Sequence, residues 1–261
     1  MSIYVGMGGW VFEPWRDNFY PKGLPQKREL EYASTHLTAI EVNGTYYGSQ
    51  KPESFRNWHA QTPEGFVFTL KGPRFATNRR VLAEAGDSIR RFFDSGVTEL
   101  KDKLGPVNWQ FMATKKFDPA DFEAFLKLLP GKVGDQTVRH AVEVRNDSFR
   151  DKAFVELCAG HGVAIITGAD SDFPVIADVT ADFVYVRAMG TQEKEKLGYS
   201  KAAIRKWAER AQDWEKGGAP KDLKLLAPAA PKKKRDVFLF VISGAKDKNP
   251  AAAQAIIADL K

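Results

Sequence analysis

Residues 37–47 read LTAIEVNGTYY, and this stretch decides the predicted fold. Its first part alternates like a short buried strand, with Ile40 and Val42 pointing one way and Glu41 and Asn43 the other. The glycine that follows ends the strand. A carboxylate and an amide on the inner face of an apolar strand are costly unless they have partners. Glu41 and Asn43 are therefore expected either in an internal polar network or in the lining of a site.

Similar apolar runs recur along the chain, separated by stretches with helical periodicity. About eight strand–helix units in 261 residues predict an α/β fold, a single TIM-type (β/α)8 barrel, as one domain over residues 1–261. An open doubly wound sheet is the alternative, but the glycines after the first run lack the Gly-x-Gly-x-x-Gly spacing. The predicted strands span residues 3–9, 37–43, 66–72, 107–112, 140–145, 163–168, 183–189 and 237–242.

Composition is that of an ordinary globular protein, with 43% hydrophobic and 28% charged residues. Neither end carries an apolar run long enough for a signal peptide or a membrane span, so we expect a cytoplasmic protein without a membrane partner. The one cysteine, Cys158, excludes an internal disulfide and a thiolate metal cluster. Nothing in the composition indicates an oligomeric state.

The net charge is +6, and part of the excess lies in one basic run, Lys232–Arg235. Such runs can contact nucleic acid. This run lies between a Pro/Ala-rich loop and an apolar strand, so we interpret it as a solvated loop. A nucleic-acid-associated barrel that uses its basic surface stays an alternative function.

Polar side chains collect at the carboxyl ends of the predicted strands, which is the face where TIM barrels carry their active sites. The alternation of strand side chains predicts that Lys71, Glu143 and Arg187 point inward. We predict a pocket there for a small polar, anionic or sugar-like metabolite, with arginines holding an anion and a carboxylate acting as general acid or base. An internal salt-bridge network is the alternative. The predicted catalytic residues are Glu41, Glu143 and Lys71, and the predicted substrate-binding residues are Trp10, Asn43, Tyr47, Gln110, Arg145 and Arg187.

The residue types that are absent from this face argue against several kinds of catalytic and metal site. The histidines, His36, His59, His140 and His161, fall on helices, in a turn or at the wrong end of a strand, so a zinc site or a histidine-based triad is not expected. Three cations beside the carboxylates argue against Mg²⁺ or Mn²⁺. We predict no metal and no cofactor. A hydrolase or isomerase and a non-catalytic barrel both stay open.

Several motifs together resemble the domain-of-unknown-function 72 family over nearly the whole chain. The most specific is Glu-x-Asn-x-Thr-x-Tyr, which ends at Tyr47. The resemblance implies a TIM-type barrel and no established substrate. The matching segments include GGW (8–10), IEVNGTYY (40–47), FTLKGPRFAT (68–77), LGPVNWQF (104–111), VEVRNDSF (142–149) and DFVYVRAMG (182–190).

The chain departs from the family pattern at the presumed site. The family usually has histidine at the positions of Asn78, Asn146 and Met189, and tryptophan at that of Phe149. Its usual Asn-Asn-Asp tip is replaced by Ile-Ser-Gly at residues 242–244. The resemblance therefore predicts a divergent member in which the shared family chemistry is altered or lost.

Overall fold

Eight parallel strands close into a barrel. The computed structural model describes residues 2–261, and within them the barrel strands are β1 (Ile3–Gly8), β2 (Ala39–Val42), β3 (Val67–Lys71), β4 (Leu104–Gln110), β5 (His140–Glu143), β6 (Ala164–Thr167), β7 (Phe183–Ala188) and β8 (Asp236–Val241). Around the barrel the strand order is β1–β8–β7–β6–β5–β4–β3–β2, so that β8 closes on β1. The predicted TIM-type barrel is confirmed.

Helices follow the strands on the outside of the barrel. Short 3₁₀ turns at 13–15, 26–28, 82–85, 97–103, 147–149 and 246–248 and a small hairpin at 132–137 complete the connections. The α-helices found in residues 2–261 are α1 (Glu29–His36), α2 (Gly44–Tyr47), α3 (Pro52–Gln61), α4 (Arg74–Thr77), α5 (Gly86–Asp94), α6 (Pro119–Lys127), α7 (Lys152–Gly160), α8 (Lys201–Glu215) and α9 (Asn249–Asp259).

The connection from β6 to β7 differs from the regular strand–helix repeat. Residues 168–182 contain no helix and run back along β6 as turns and extended chain. Thr180 Oγ1 accepts from the Ile165 amide at 3.2 Å and donates to the Val163 carbonyl oxygen at 2.6 Å. The segment is thus held along β6 by the side-chain hydrogen bonds of Thr180.

Local sequence signals explain where the longer helices begin. Asp118 caps α6 by accepting from the backbone amides of Ala120 and Asp121, and Pro119 supplies the first helical position. Ser200 caps α8 in the same way through the amide of Ala203. Each cap satisfies amides that the first turn of a helix leaves unpaired.

Side chains along the barrel strands alternate between an outer and an inner layer. Ile40 and Val42 belong to the outer layer under the helices, and Ala39 belongs to the inner one. Gly6 lets β1 and β2 approach closely, because a Cβ there would lie 1.9 Å from the carbonyl oxygen of Ala39. The inner layer includes Tyr4, Ala39, Val67, Ala141, Ala164, Ile166, Phe183, Tyr185, Phe238, Phe240 and Ile242.

Aromatic rings fill the amino-terminal end of the barrel. Tyr4 stacks on Phe238 with ring centroids 5.0 Å apart, and Phe183 meets Phe238 edge to face. The Arg139 guanidinium lies 4.8 Å from the Phe238 ring centroid and pairs with Asp236 at 2.8 Å. The polar residues at the other end of the barrel therefore rest on a packed floor.

No helix within residues 2–261 combines the length and the apolar character needed to cross a bilayer.

His140 is a structural residue at the start of β5. The Trp109 indole N–H donates to its Nδ1 at 3.1 Å, and its Nε2 lies 2.8 Å from the Pro130 carbonyl oxygen. One ring nitrogen thus accepts and the other donates, as in a neutral imidazole. Burial lowers the pKa of His140 from its ordinary 6.5 to about 4.

We predict that His140→Gln flattens the pH dependence of stability. As the pH falls below 6.5 the unfolded chain binds a proton at His140, whereas the folded chain does so only at about 4. The wild type therefore loses up to about 3 kcal/mol of unfolding free energy at this site across that window. Urea denaturation at about pH 7 and about pH 5 measures the difference.

His161→Gln is the matched control, because His161 is exposed in the turn after α7. It should keep the wild-type pH dependence. An unchanged slope in His140→Gln would contradict the assignment.

Candidate functional site

A buried arginine joins two carboxylates at the carboxyl ends of the barrel strands. Arg187 Nη2 lies 3.0 Å from Glu41 Oε1, and its Nη1 pairs with Glu143 Oε2. Fractional side-chain exposure is 5% for Arg187, 0% for Glu41 and 4% for Glu143. With their neighbours they form the mouth cluster, which consists of Glu41, Lys71, Gln110, Glu143, Arg145 and Arg187.

Strand register places these side chains near the carboxyl ends of neighbouring strands. Gln110 of β4 stands beside Glu143 of β5, while Lys71 of β3 stands beside Asn108 of β4. Alternate residues of each strand point to the barrel axis. The predicted inward direction of Glu41, Lys71, Glu143 and Arg187 therefore agrees with their contacts in the structure.

Neutral hydrogen-bonding side chains support Glu41 inside the barrel. The Tyr185 hydroxyl donates to Glu41 Oε2 at 2.6 Å, and Asn108 Nδ2 donates to the same oxygen at 3.3 Å. Thr69 hydrogen-bonds the Tyr185 hydroxyl at 2.9 Å. The sequence prediction omitted these three residues, although each lies two positions before a predicted polar residue on the same strand face.

Arg145, Gln110 and Lys71 form the outer part of the mouth cluster. Arg145 binds Glu143 Oε1 through Nε at 2.7 Å and Nη2 at 2.6 Å. Its guanidinium also lies 4.4 Å from the Phe173 ring centroid. Arg145 Nη2 donates to Gln110 Oε1 at 2.9 Å, and Lys71 Nζ donates to that same oxygen at 2.5 Å. Two cations thus share one neutral acceptor.

The ion pairs favour the charged forms of Glu143 and Arg187. Burial opposes the ionised form of Glu143, but the charges of Arg187 and Arg145 outweigh it and lower the pKa of this carboxyl. Burial likewise acts against the Arg187 cation, and Glu143 and Glu41 overcome it, which raises the pKa of the guanidinium. Burial and the charge of Glu41 raise the pKa of Tyr185 well above 10.0, so the phenol donates its proton to Glu41 without releasing it.

The pKa of Lys71 is lowered toward neutral pH. Burial, followed by the positive charge of Arg187, lowers the pKa of Lys71 from 10.5 to about 8, against the opposite effect of Glu41 and Glu143. Among residues 2–261 no carboxylate oxygen lies within 4.0 Å of Lys71 Nζ. Its other close neighbour is the Tyr46 ring, whose centroid is 5.1 Å from Nζ.

Lys103 shows how a structural lysine is buried in this protein. Lys71 is 7% exposed and Lys103 is 5% exposed. Lys103 Nζ donates to three oxygens, the carbonyls of His59 and Thr62, each at 2.6 Å, and Thr62 Oγ1 at 3.1 Å. A lysine ammonium has three donors, and Lys103 uses all of them.

Three predicted substrate-binding residues lie at the edge of the cluster or away from it. The Trp10 ring packs against Trp58 in the helix layer, with centroids 5.2 Å apart. Tyr47 is 67% exposed at the end of α2, and its neighbour Tyr46 contacts Lys71 in its place. Asn43 is half-buried, with Nδ2 3.5 Å from the Glu41 carbonyl oxygen. Their roles in binding stay predictions.

Asp170, at the end of the β6 region, fastens a loop. Its carboxylate accepts from the amides of Met189 and Gly190 at 2.8 and 2.9 Å and from the Tyr199 hydroxyl. The carboxylate is therefore committed to backbone and phenol donors outside the mouth cluster.

Several cavities of the described residues lie outside the mouth cluster. Five cavities have volumes of 180 to 390 Å³, and none of these is lined by Glu41, Glu143 or Arg187. In residues 2–261 no group of three His, Cys, Asp or Glu side chains could hold a metal ion.

The basic run before β8 is split between surface and interior. Residues 232–234 are exposed, as predicted for a solvated loop. Arg235 is only 4% exposed, and its guanidinium donates to the carbonyl oxygens of Gly217, Pro231 and Lys233. The interpretation of the whole run as solvated is wrong for Arg235, which fastens the loop to the barrel.

A closed parallel barrel of eight strands defines a protein of the TIM-barrel class. Residues 4–261 match the family described as "Protein of unknown function DUF72", and the chain belongs to this family. The resemblance inferred from the sequence motifs is thereby confirmed.

Curated relatives match the chain over part of its length. The UPF0759 protein YunF of Bacillus subtilis (strain 168) is 28% identical over 160 residues, which are 59% of this chain and 54% of YunF. The UPF0759 protein YecE of Escherichia coli (strain K12) is 29% identical over 164 residues, which are 62% of this chain and 55% of YecE. The chain spans about half the length of these relatives.

Solved structures share the fold over nearly the whole chain. A DUF72 family protein from Thermotoga maritima MSB8 aligns with a TM-score of 0.71 and 21% identity, covering 98% of this chain and 97% of that one. A DUF72 family protein from Enterococcus faecalis V583 aligns with a TM-score of 0.69 and 15% identity, covering 99% and 94%.

We predict that Arg187→Met destabilises the protein because it leaves Glu41 and Glu143 buried without their shared cation. Breaking a buried ion pair from one side costs about 3–5 kcal/mol. Arg187 and Arg145 lower the pKa of Glu143 in the wild type, and this pKa should rise in the variant, so acidification should reduce the deficit relative to the wild type. Urea denaturation at about pH 7 and about pH 5 measures both effects.

Arg205→Met on the exposed face of α8 is the control, since its pair with Glu209 is solvent-exposed. Its cost should stay within about 0.5 kcal/mol. A deficit in Arg187→Met that is small or independent of pH would contradict the role given to Arg187.

Proposed function

We propose that the mouth cluster binds a small organic anion, such as a hydroxy acid or a sugar acid. The observation that carries the proposal is that Lys71 and Arg145 share the neutral Oε1 of Gln110. An amide oxygen neutralises neither cation. A carboxylate or a similar group between them would gain charge-assisted hydrogen bonds from both.

The charge balance of the cluster supports the same proposal. Arg187 and Arg145 satisfy the carboxylates of Glu41 and Glu143, so the charge of Lys71 is left in surplus. Buried charges are normally paired, and a buried cation without a carboxylate partner is a candidate ligand contact. The carboxyl ends of the strands are also where TIM barrels carry their active sites.

Within this proposal we assign different roles to the predicted catalytic residues. Glu41 and Glu143 hold Arg187 and orient the cluster, since each carboxylate is already engaged by arginine. Lys71 contacts the anion and can exchange a proton, because its pKa is lowered to about 8. Reaction chemistry of the hydrolase or isomerase type stays a prediction from the sequence.

Binding of nucleic acid has less support than binding of a small anion. The exposed residues 232–234 precede β8 and thus lie at the end of the barrel opposite the mouth cluster. Arg235 is buried and unavailable to a phosphate backbone. The nucleic-acid alternative and the non-catalytic barrel stay predictions.

We predict that Lys71→Met and Lys103→Met change stability in opposite directions. Keeping Lys71 ionised at neutral pH costs folding free energy, because its pKa is lower in the folded state than in the unfolded chain. Methionine removes that cost, so the free energy of unfolding should rise by about 1–2 kcal/mol. Lys103→Met leaves three oxygen acceptors without their donor and should lower the free energy of unfolding by about 1–3 kcal/mol. Equal losses in the two variants would make Lys71 part of the scaffold.

Ligand dependence supplies the second arm of the test. Glycolate and gluconate are suitable probes because they carry a carboxylate and hydroxyl groups, and glycolamide is a neutral analogue of glycolate. The wild-type thermal midpoint should rise with the anions but not with glycolamide, and Lys71→Met should respond to none of them. An equal response to glycolate and glycolamide, or a wild-type response in Lys71→Met, would contradict the proposal.

A further inference from the structure

The largest of the five described cavities lies at the rim of the barrel, outside the mouth cluster. It occupies 390 Å³ between the segments that follow β2 and β3 and one side of α5. None of its lining residues belongs to the mouth cluster. One lining residue, Thr45, donates its hydroxyl to the Lys71 carbonyl oxygen at 2.7 Å, so the wall of this rim cavity is fastened to β3.

Arginines supply the charged groups that line the rim cavity. Arg79 and Arg91 line it, and no aspartate or glutamate is among its lining residues. Arg79 is held in place, because its Nε donates to the Phe75 carbonyl oxygen at 2.9 Å and its Nη2 to Ser88 Oγ at 3.1 Å. Within residues 2–261 neither Arg79 nor Arg91 has a carboxylate oxygen within 4.0 Å.

The neighbouring Arg90 shows the contrast. Arg90 pairs with Asp87 at 2.9 Å on the exposed surface of α5 and is not a lining residue of the cavity. Two adjacent arginines on one helix thus differ in their surroundings. Arg90 has a local carboxylate, and the charge of Arg91 adjoins the cavity.

Apolar groups form the other part of the lining. Phe92 is 6% exposed, whereas Phe75 leaves 62% of its surface exposed. Both residues and Pro73 line the cavity. A large exposed aromatic ring beside a cationic pocket offers a contact surface for the organic part of a ligand.

We propose that the rim cavity binds the phosphate group of a small phosphorylated molecule. Arg79 and Arg91 bind the phosphate oxygens, since guanidinium groups match phosphate bidentately. The Phe75 ring contacts the organic part. A volume of 390 Å³ suits a small molecule, and the absence of acidic residues from the lining disfavours a cation. This inference does not rest on the anion proposed for the mouth cluster.

The test measures binding of phenyl phosphate to the full chain by titration calorimetry at low ionic strength. Arg79→Gln and Arg91→Gln should each weaken binding by about tenfold, because each removes a hydrogen-bonded charge. Arg90→Gln, outside the cavity, should leave the dissociation constant unchanged. Phe75→Ala should weaken phenyl phosphate more than inorganic phosphate, and phenol should not bind.

Lys71→Met separates this site from the mouth cluster. Unchanged phenyl phosphate affinity in Lys71→Met supports the rim cavity. Loss of binding in Lys71→Met together with full binding in the arginine variants would overturn the inference and place the anion at the mouth cluster.

Other outcomes also decide the inference. Equal weakening of binding by Arg90→Gln and Arg91→Gln would mean that surface charge alone explains the effect, and it would overturn the inference. Failure of the wild type to bind phenyl phosphate would also overturn the inference. Tighter binding of a short single-stranded oligonucleotide, lost in the same arginine variants, would assign the surface to nucleic acid. Arg91 is exposed, so Arg91→Gln is expected to fold even where Arg79→Gln does not.

Discussion

The interior of this barrel depends on one buried guanidinium shared by two carboxylates. Arg187 reaches across the barrel to Glu41 on β2 and to Glu143 on β5. Without that cation Glu41 would have no arginine partner and Glu143 would keep only Arg145, and buried charges that lack partners are costly. These two ion pairs connect β7, which carries Arg187, to β2 and β5. Tyr185 and Asn108 then satisfy the remaining oxygen of Glu41 and connect the charged level to the aromatic floor.

The arrangement explains why the scaffold and the candidate site are hard to separate. Glu41 and Glu143 behave as structural groups, since arginine, tyrosine and asparagine donors already bind their oxygens. Lys71 and Arg145 differ from them in sharing an acceptor that carries no charge. The two interpretations left open by the sequence, an internal network and a ligand site, therefore apply to different parts of one cluster. The inner level is the network, and the outer level is the part that we propose for binding.

Strand parity was enough to predict which polar residues face the barrel axis. Glu41, Lys71, Glu143 and Arg187 each follow the two-residue period of a strand. The alternation of side chains along a strand does not specify which side chains pair with each other. The sequence therefore did not indicate that Arg187 would bind both carboxylates. Loop residues were less predictable still. Trp10 packs against Trp58 because its loop turns toward the helices, and no periodic signal encodes such a turn.

Irregular segments were also difficult to predict from the sequence. Residues 168–182 replace a helix with a chain hydrogen-bonded to β6 through Thr180, a tertiary contact that local propensity does not report. From the sequence Arg235 was interpreted as part of a solvated basic run, but its guanidinium is buried and donates to nearby carbonyl oxygens. The overall barrel tolerates these exceptions because its closure depends on eight strand pairings rather than on any one connection.

The amide of Gln110 also has an evolutionary consequence. Glutamine and glutamate codons differ by a single nucleotide, and a carboxylate at this position would neutralise Lys71 at once. The outer level of the cluster would then become a closed ion-pair network like the inner one. One point mutation can therefore remove the surplus positive charge on which the proposed anion binding depends.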